Sequence, residues 1–170
     1  MPKPINKTQW NPAYSLLQTL RYVLTGRIHF PRERVGETLT MPDGHIFIIF
    51  RQVVIDPAED SSASPGALFQ VRFHLAGMSA RQNQRFSLLP IPFFVGLPGF
   101  RAKLWMLDET RGDFQGLYRW DSVAAAERYA NSYAMRFMTR RAVPGSVSHR
   151  IVAASDPEGF GDLADLRPDE

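Results

Sequence analysis

The sequence contains no cysteine. Disulfides, thiolate metal centres and cysteine nucleophiles are therefore excluded, and the chain suits a reducing cytoplasm. Histidine is scarce, with four in the chain. His29, His45, His74 and His149 show no H-x-x-x-H spacing and no adjoining carboxylate motif, so no metal site is expected. The glycine-rich signatures of nucleotide binding, G-x-G-x-x-G and the Walker A loop, are missing, as is the G-x-S-x-G elbow of serine hydrolases. Long apolar runs are missing too. The densest, residues 46–55 and 88–97, are too short or too broken by proline and arginine to span a bilayer. Met1–Trp10 has two lysines with no apolar run behind them, so no secretory signal is expected.

What remains is an ordinary globular composition. The 170 residues are 44% hydrophobic and 22% charged, enough for one domain plus an extension. The charge is uneven: net +4 over residues 1–55, −3 over 56–66, +7 over 67–152 and −5 over 153–170. A basic body with an acidic tail favours anionic ligands, or simply keeps the surface solvated.

The centre of the chain is the stretch 97–122, LPGFRAKLWMLDETRGDFQGLYRWDS. Residues 101–107 place Ala102, Leu104 and Met106 on one face and Lys103, Trp105 and Leu107 on the other, the period-2 pattern of a strand. A polar turn holding Gly112 leads to an aromatic-rich strand, 114–120, and Asp121 or Ser122 then caps a helix. Upstream, the pattern predicts a polar arm over 1–12. A short helix follows over 13–25, with Leu16, Leu17, Leu20, Val23 and Leu24 on a face that packs on the main domain. A hairpin turns at Asp43-Gly44 into the nearly all-apolar strand 45–55, which must be covered on both faces or bent. Residues 56–66, DPAEDSSASPG, read as a flexible linker.

The body follows. A strand over 67–76 leads to a helix over 78–89 capped by Ser79, an apolar proline-rich loop over 91–100, the two central strands, a helix over 123–141 and a last strand over 146–153. An acidic tail closes the chain. Strand–helix–strand–strand–helix–strand is the ferredoxin-like, split βαβ order, so the fold class is α+β. Two helices on one sheet face leave the other bare, and a homodimer is the simplest cover for it. The domain reading is thus an extension (1–55), a linker (56–66), a ferredoxin-like domain (67–153) and a tail (154–170).

The runs LFQVRFHLAG, PGFRAKLW, GLYRW and AAAERYA, within residues 68–152, resemble the dimeric α/β-barrel proteins, and within them the YdhR-like monooxygenases. The junction Trp120-Asp121-Ser122 is similar to one in the wider superfamily, where the Trp lines a pocket between sheet and helices. The resemblance implies a cytoplasmic homodimer with one pocket per subunit. It also implies oxygen chemistry without a bound metal or flavin, on a hydrophobic aromatic small molecule. The alternative is a non-catalytic binder of a hydrophobic or haem-like ligand. Haem degradation in the superfamily uses a histidine on the helix after the Trp, and residues 123–141 contain none, although tyrosine can also ligate haem iron. RNA binding shares the element order, but RGDFQGLY departs from the RNP1 pattern, so no nucleic-acid partner is expected.

Candidate residues follow from faces and chemistry. Trp120 and Tyr118 share a face with Gly116, which leaves room beside the rings for a ligand; plain core packing is the competing reading. Tyr129 and Tyr133 lie one turn apart on the inward helix face and can bond a substrate oxygen or a backbone carbonyl. Arg72 and His74 occupy one face of the first strand, with Lys103 and Trp105 on a corresponding face of another. There His74 is a candidate base, or the four form a dimer interface. Phe93, Phe94 and Phe100 form a lid or pack under the extension. The candidate catalytic set is Tyr129, Tyr133 and His74. The candidate substrate-binding set is Trp120, Tyr118, Trp105, Arg72 and Phe94.

Overall fold

The computed structural model of the chain describes residues 7–57 and 66–156. The first half of the expected arm (1–6), most of the linker (58–65) and the tail beyond 156 lie outside the described residues. Strand β4 (Ala67–His74), β5 (Phe100–Asp108), β6 (Asp113–Trp120) and β7 (Ser148–Ala153) are the four strands of the body. They lie side by side as β5-β6-β4-β7, all antiparallel. Second, third, first, fourth is the arrangement that the split βαβ order demands, and the fold is ferredoxin-like α+β.

The extension joins this same sheet. Strand β3 (Ile46–Ile55) pairs with β5, and β1 (Ile28–His29) and β2 (Thr38–Thr40) both pair with β3, giving seven strands. The expected tension in β3 is resolved by a bulge between Ile49 and Arg51. One extra residue reverses the alternation. Phe47 and Ile49 therefore pack with Leu68, Leu104, Met106 and Leu117 on one sheet face, while Val53 and Ile55 pack on the opposite, helix-covered face.

The sheet face away from the helices is not bare, which removes the motive for a dimer through it. The turn after β2 reaches across to β4. Arg72 donates to Asp43 Oδ2 at 2.6 Å and its guanidinium sits 4.9 Å from the Phe47 ring, although β5 and β6 separate their strands. Such contacts require a strongly curled sheet, whose hollow the chain fills with its own Met41, Phe47 and Ile49.

The helices differ from expectation in two places. Helix α1 (Pro12–Leu24), capped by Asn11, turns its apolar stripe outward: Leu17 is 64% and Leu24 77% exposed, while Ser15 and Thr19 are buried. The Ser15 and Thr19 hydroxyls donate to the Pro92 carbonyl at 3.2 and 3.0 Å. A Cβ at Gly96 would lie 2.0 Å from the Ser15 carbonyl oxygen. Backbone-close packing of this kind admits only small side chains, so the leucines are left outside. The proline-rich loop thereby becomes core: it forms the short helix α3 (Ile91–Phe94) beneath α1, with Phe94 buried. The second difference is the expected helix 123–141, which is two helices, α4 (Val123–Ala130) and α5 (Tyr133–Thr139). Asn131 ends the first and Ser132 caps the second, accepting from the Met135 N–H. Helix α2 (Ala80–Phe86) carries the expected Ser79 cap as a full capping box with Gln82.

Candidate functional site

The helix-covered sheet face divides into two regions. At the α4 end, Trp120, Tyr118 and Tyr129 are fully buried among Phe69, Phe94 and Phe100. The Trp120 ring lies 5.0 Å from Tyr129 and 6.1 Å from Trp10, which closes over it. Tyr129 donates to the Tyr118 hydroxyl at 2.9 Å, and Tyr118 donates to Met138 Sδ at 3.1 Å. Burial raises both phenols well above the ordinary tyrosine value, so they remain protonated near neutrality and hold the core together. Tyr133 donates to the Phe93 carbonyl at 2.5 Å, the backbone alternative raised from sequence.

The cavity lies elsewhere on the same face, under α2. Phe50, Val71, Phe73, Phe86, Trp105 and Phe114 form its apolar wall, joined by the buried polar Asn83 of α2 and Ser87, the residue that ends α2. Its volume is about 30 Å³, room for water-sized molecules only. Arg51 holds the α2 wall down, donating to Ser87 Oγ and to the Gln84 carbonyl, the latter at 3.1 Å. Of the expected binding residues, Trp105 lines this cavity, whereas Trp120, Tyr118 and Phe94 do not.

Lys103 completes the wall, and sequence reasoning passed over it as an interface residue. Register explains its position: Lys103 pairs with Tyr118, and Trp105 with Gly116, across β5 and β6. Lys103 is 1% exposed, and its Nζ lies over the rings of Trp105 (4.3 Å), Tyr118 (4.4 Å) and Phe94 (4.7 Å). Met138 Sδ accepts from it at 3.3 Å. Burial, reinforced by the Arg51 charge, pushes its pKa well below the ordinary lysine value. A Cβ at Gly116 would meet Lys103 Cε at 3.4 Å and Tyr118 Cε2 at 2.8 Å, so the missing side chain keeps this cage open. The legible signal was a lysine on the same strand face as Trp105 and Leu107.

Arg72 and His74 do not share a face with Lys103 and Trp105, because β4 turns its even-numbered residues to the curled side. Arg72 lines a second, polar cleft of about 260 Å³ with Asp43, Gln70, Ser148 and Arg150. His74 Nδ1 lies 3.0 Å from Asp113 Oδ1, half exposed and outside both cavities. Among the described residues, no three of histidine, aspartate and glutamate gather to hold a metal ion, and no helix is long and apolar enough to cross a membrane.

No family model and no curated protein matches the chain. Solved structures do. One is an uncharacterized ferredoxin-fold protein related to antibiotic biosynthesis monooxygenases, from Listeria monocytogenes. It is 13% identical over 79% of this chain and 86% of its own, with a TM-score of 0.50. A haem-degrading enzyme from the same species is 13% identical over 78% and 90%, with a TM-score of 0.49. An anthrone oxidase-like protein is 17% identical over 66% and 57%, with a TM-score of 0.42. At these identities the likeness is one of fold. The chain has the ferredoxin-like α+β fold, the fold that the order of its strands and helices predicts.

Proposed function

We propose that the protein is a cofactor-independent monooxygenase acting on a hydrophobic aromatic small molecule. The observation that carries this reading is the aromatic-walled cavity between α2 and the ferredoxin-like sheet. The chemistry asks little of the protein beyond a dry, shaped space and a proton acceptor. An activated methylene beside an aromatic ring loses a proton, and the resulting anion reduces dioxygen. One oxygen atom remains on carbon as a carbonyl. The other leaves as water with the two hydrogens of the methylene, so the substrate supplies all four electrons that dioxygen takes up. Apolar walls shield the anion from reprotonation by solvent. A ring is larger than the closed cavity, so α2 is the wall that yields on binding, at the cost of the Arg51 contacts to Ser87 and Gln84.

Anthrone, whose methylene lies between two aryl rings, is a suitable probe in an oxygen electrode. We expect one dioxygen consumed per anthrone, with the rate unchanged by a metal chelator. The variant Asn83→Phe, which fills the cavity from α2, should lower the rate about tenfold or more. Uptake no faster than in buffer, or an undiminished rate in Asn83→Phe, would overturn the reading.

A further inference from the structure

Lys103 presents a problem that the core does not solve. A buried ammonium without a counter-ion is costly, and an apolar residue of similar length would fill the same space without that cost. Among the described residues no carboxylate pairs with Lys103, and the charge that acts on it, Arg51 on β3, has the same sign. Tyr118 on β6 faces it as a protonated phenol. Helices α2 and α5 present only Asn83, Ser87, Phe86 and Met138 to the cavity. Three ring faces surround Nζ, an arrangement that favours a cation once one forms. The missing component is an anion, and Lys103 is part of the cavity wall together with Trp105 and Met138, two of the residues that contact its Nζ.

We propose that Lys103 is the anchor of this cavity for a hydroxyaromatic ligand, whose hydroxyl gives its proton to Nζ and remains as a phenolate paired with the ammonium. The transfer is ArOH plus R–NH2 to ArO⁻ plus R–NH3⁺, with no change in electron count. A phenol suits the apolar wall better than a carboxylic acid does. It enters neutral and ionises only inside, where the ring cage favours the ammonium and the phenolate offsets the opposing Arg51 charge, whereas a carboxylate must shed its water at the mouth. This inference rests on the oxygenase reading for its purpose, since a phenolate or enolate is the species that donates electrons to dioxygen. Anthrone reaches that state through its enol, a hydroxyaromatic.

The test uses 4-nitrophenol, whose anion is yellow and whose neutral form is nearly colourless. Full-length protein is titrated with the probe at a pH below the probe's own ionisation. Wild type should develop the anion band, saturating at one probe per chain. Lys103→Met, an apolar replacement of similar length, should stay folded by circular dichroism, develop no anion band and bind about tenfold more weakly or worse. Wild type that binds the probe only in its neutral form, or fails to bind it, overturns the anchor without reference to any variant. So does a Lys103→Met protein that still ionises it. Oxygen uptake with anthrone separates the two readings. Uptake preserved in wild type without an anion band leaves the oxygenase standing and the anchor refuted. An anion band that depends on Lys103, without uptake, keeps the anchor and refutes the oxygenase.

Discussion

Trp120 and Lys103 share one sheet face and are both desolvated, yet burial acts on them in opposite senses. Trp120 is 0% exposed, stacked on Trp10 and in contact with the tilted ring of Tyr129, so its burial is stabilising. Trp120→Ala should lower unfolding free energy by ~3–5 kcal/mol in urea titrations and leave 4-nitrophenol binding under native conditions unchanged. Lys103 carries a group that water would rather keep, and Lys103→Met should raise the melting temperature measured by calorimetry. Tyr129→Phe removes one hydrogen bond while Tyr118 keeps its contact to Met138. A loss of ~0.5–1.5 kcal/mol is expected there. These side chains were legible as inward-facing from the period of β5 and β6 alone. Whether a face holds core or cavity was not legible, because that depends on which helix lies above each residue. α4 covers Trp120, whereas Phe94 of α3 and Met138 of α5 cover Lys103.

At the scale of elements, periodicity located the strands and composition located the caps. Ser79 and Ser122 accept from the backbone N–H groups that an N-cap should satisfy. The break at Asn131-Ser132 was hidden inside an otherwise continuous apolar stripe. Ser132 makes α5 a separate helix, and Ser132→Ala should cost about 1 kcal/mol in thermal or urea unfolding. Helix α1 shows why amphipathicity does not name the buried face. Its leucines form the larger apolar surface, but the backbone of α3 lies too close for them, and Ser15 and Thr19 fit instead. The bulge in β3 is a further case. An all-apolar strand needs cover on both faces, and one added residue supplies it by reversing the alternation at mid-strand.

Across the whole molecule, the extension and the body are joined by the curl of one sheet, and the Arg72–Asp43 contact marks where the curl closes. Burial is the largest single influence on Asp43 and opposes its ionisation, but the hydrogen bonds from Arg72 and from the His45 N–H, with the Arg72 and His45 charges, together outweigh it and hold its pKa below the ordinary 3.8. A depressed carboxylate contributes stability that is present above its unfolded value and lost as pH falls through its folded value. The closure should therefore weaken only in strong acid, below about pH 3.8. Hydrogen exchange in β2 and β3 should report that loss, and Asp43→Asn should remove the pH dependence. The sequence by itself determined the strand–helix–strand–strand–helix–strand order of the body, short of α3 and the α4–α5 break, with the ferredoxin-like class, the caps and the absence of thiol chemistry, since each depends on neighbours a few residues apart. Only the tertiary structure decided that the second sheet face is filled from within, that α1 shows its leucines outward and that Lys103 is enclosed by rings. Those outcomes depend on which distant segments meet, such as Ser15 with Pro92 and Asp43 with Arg72, and local periodicity carries no information about such pairings.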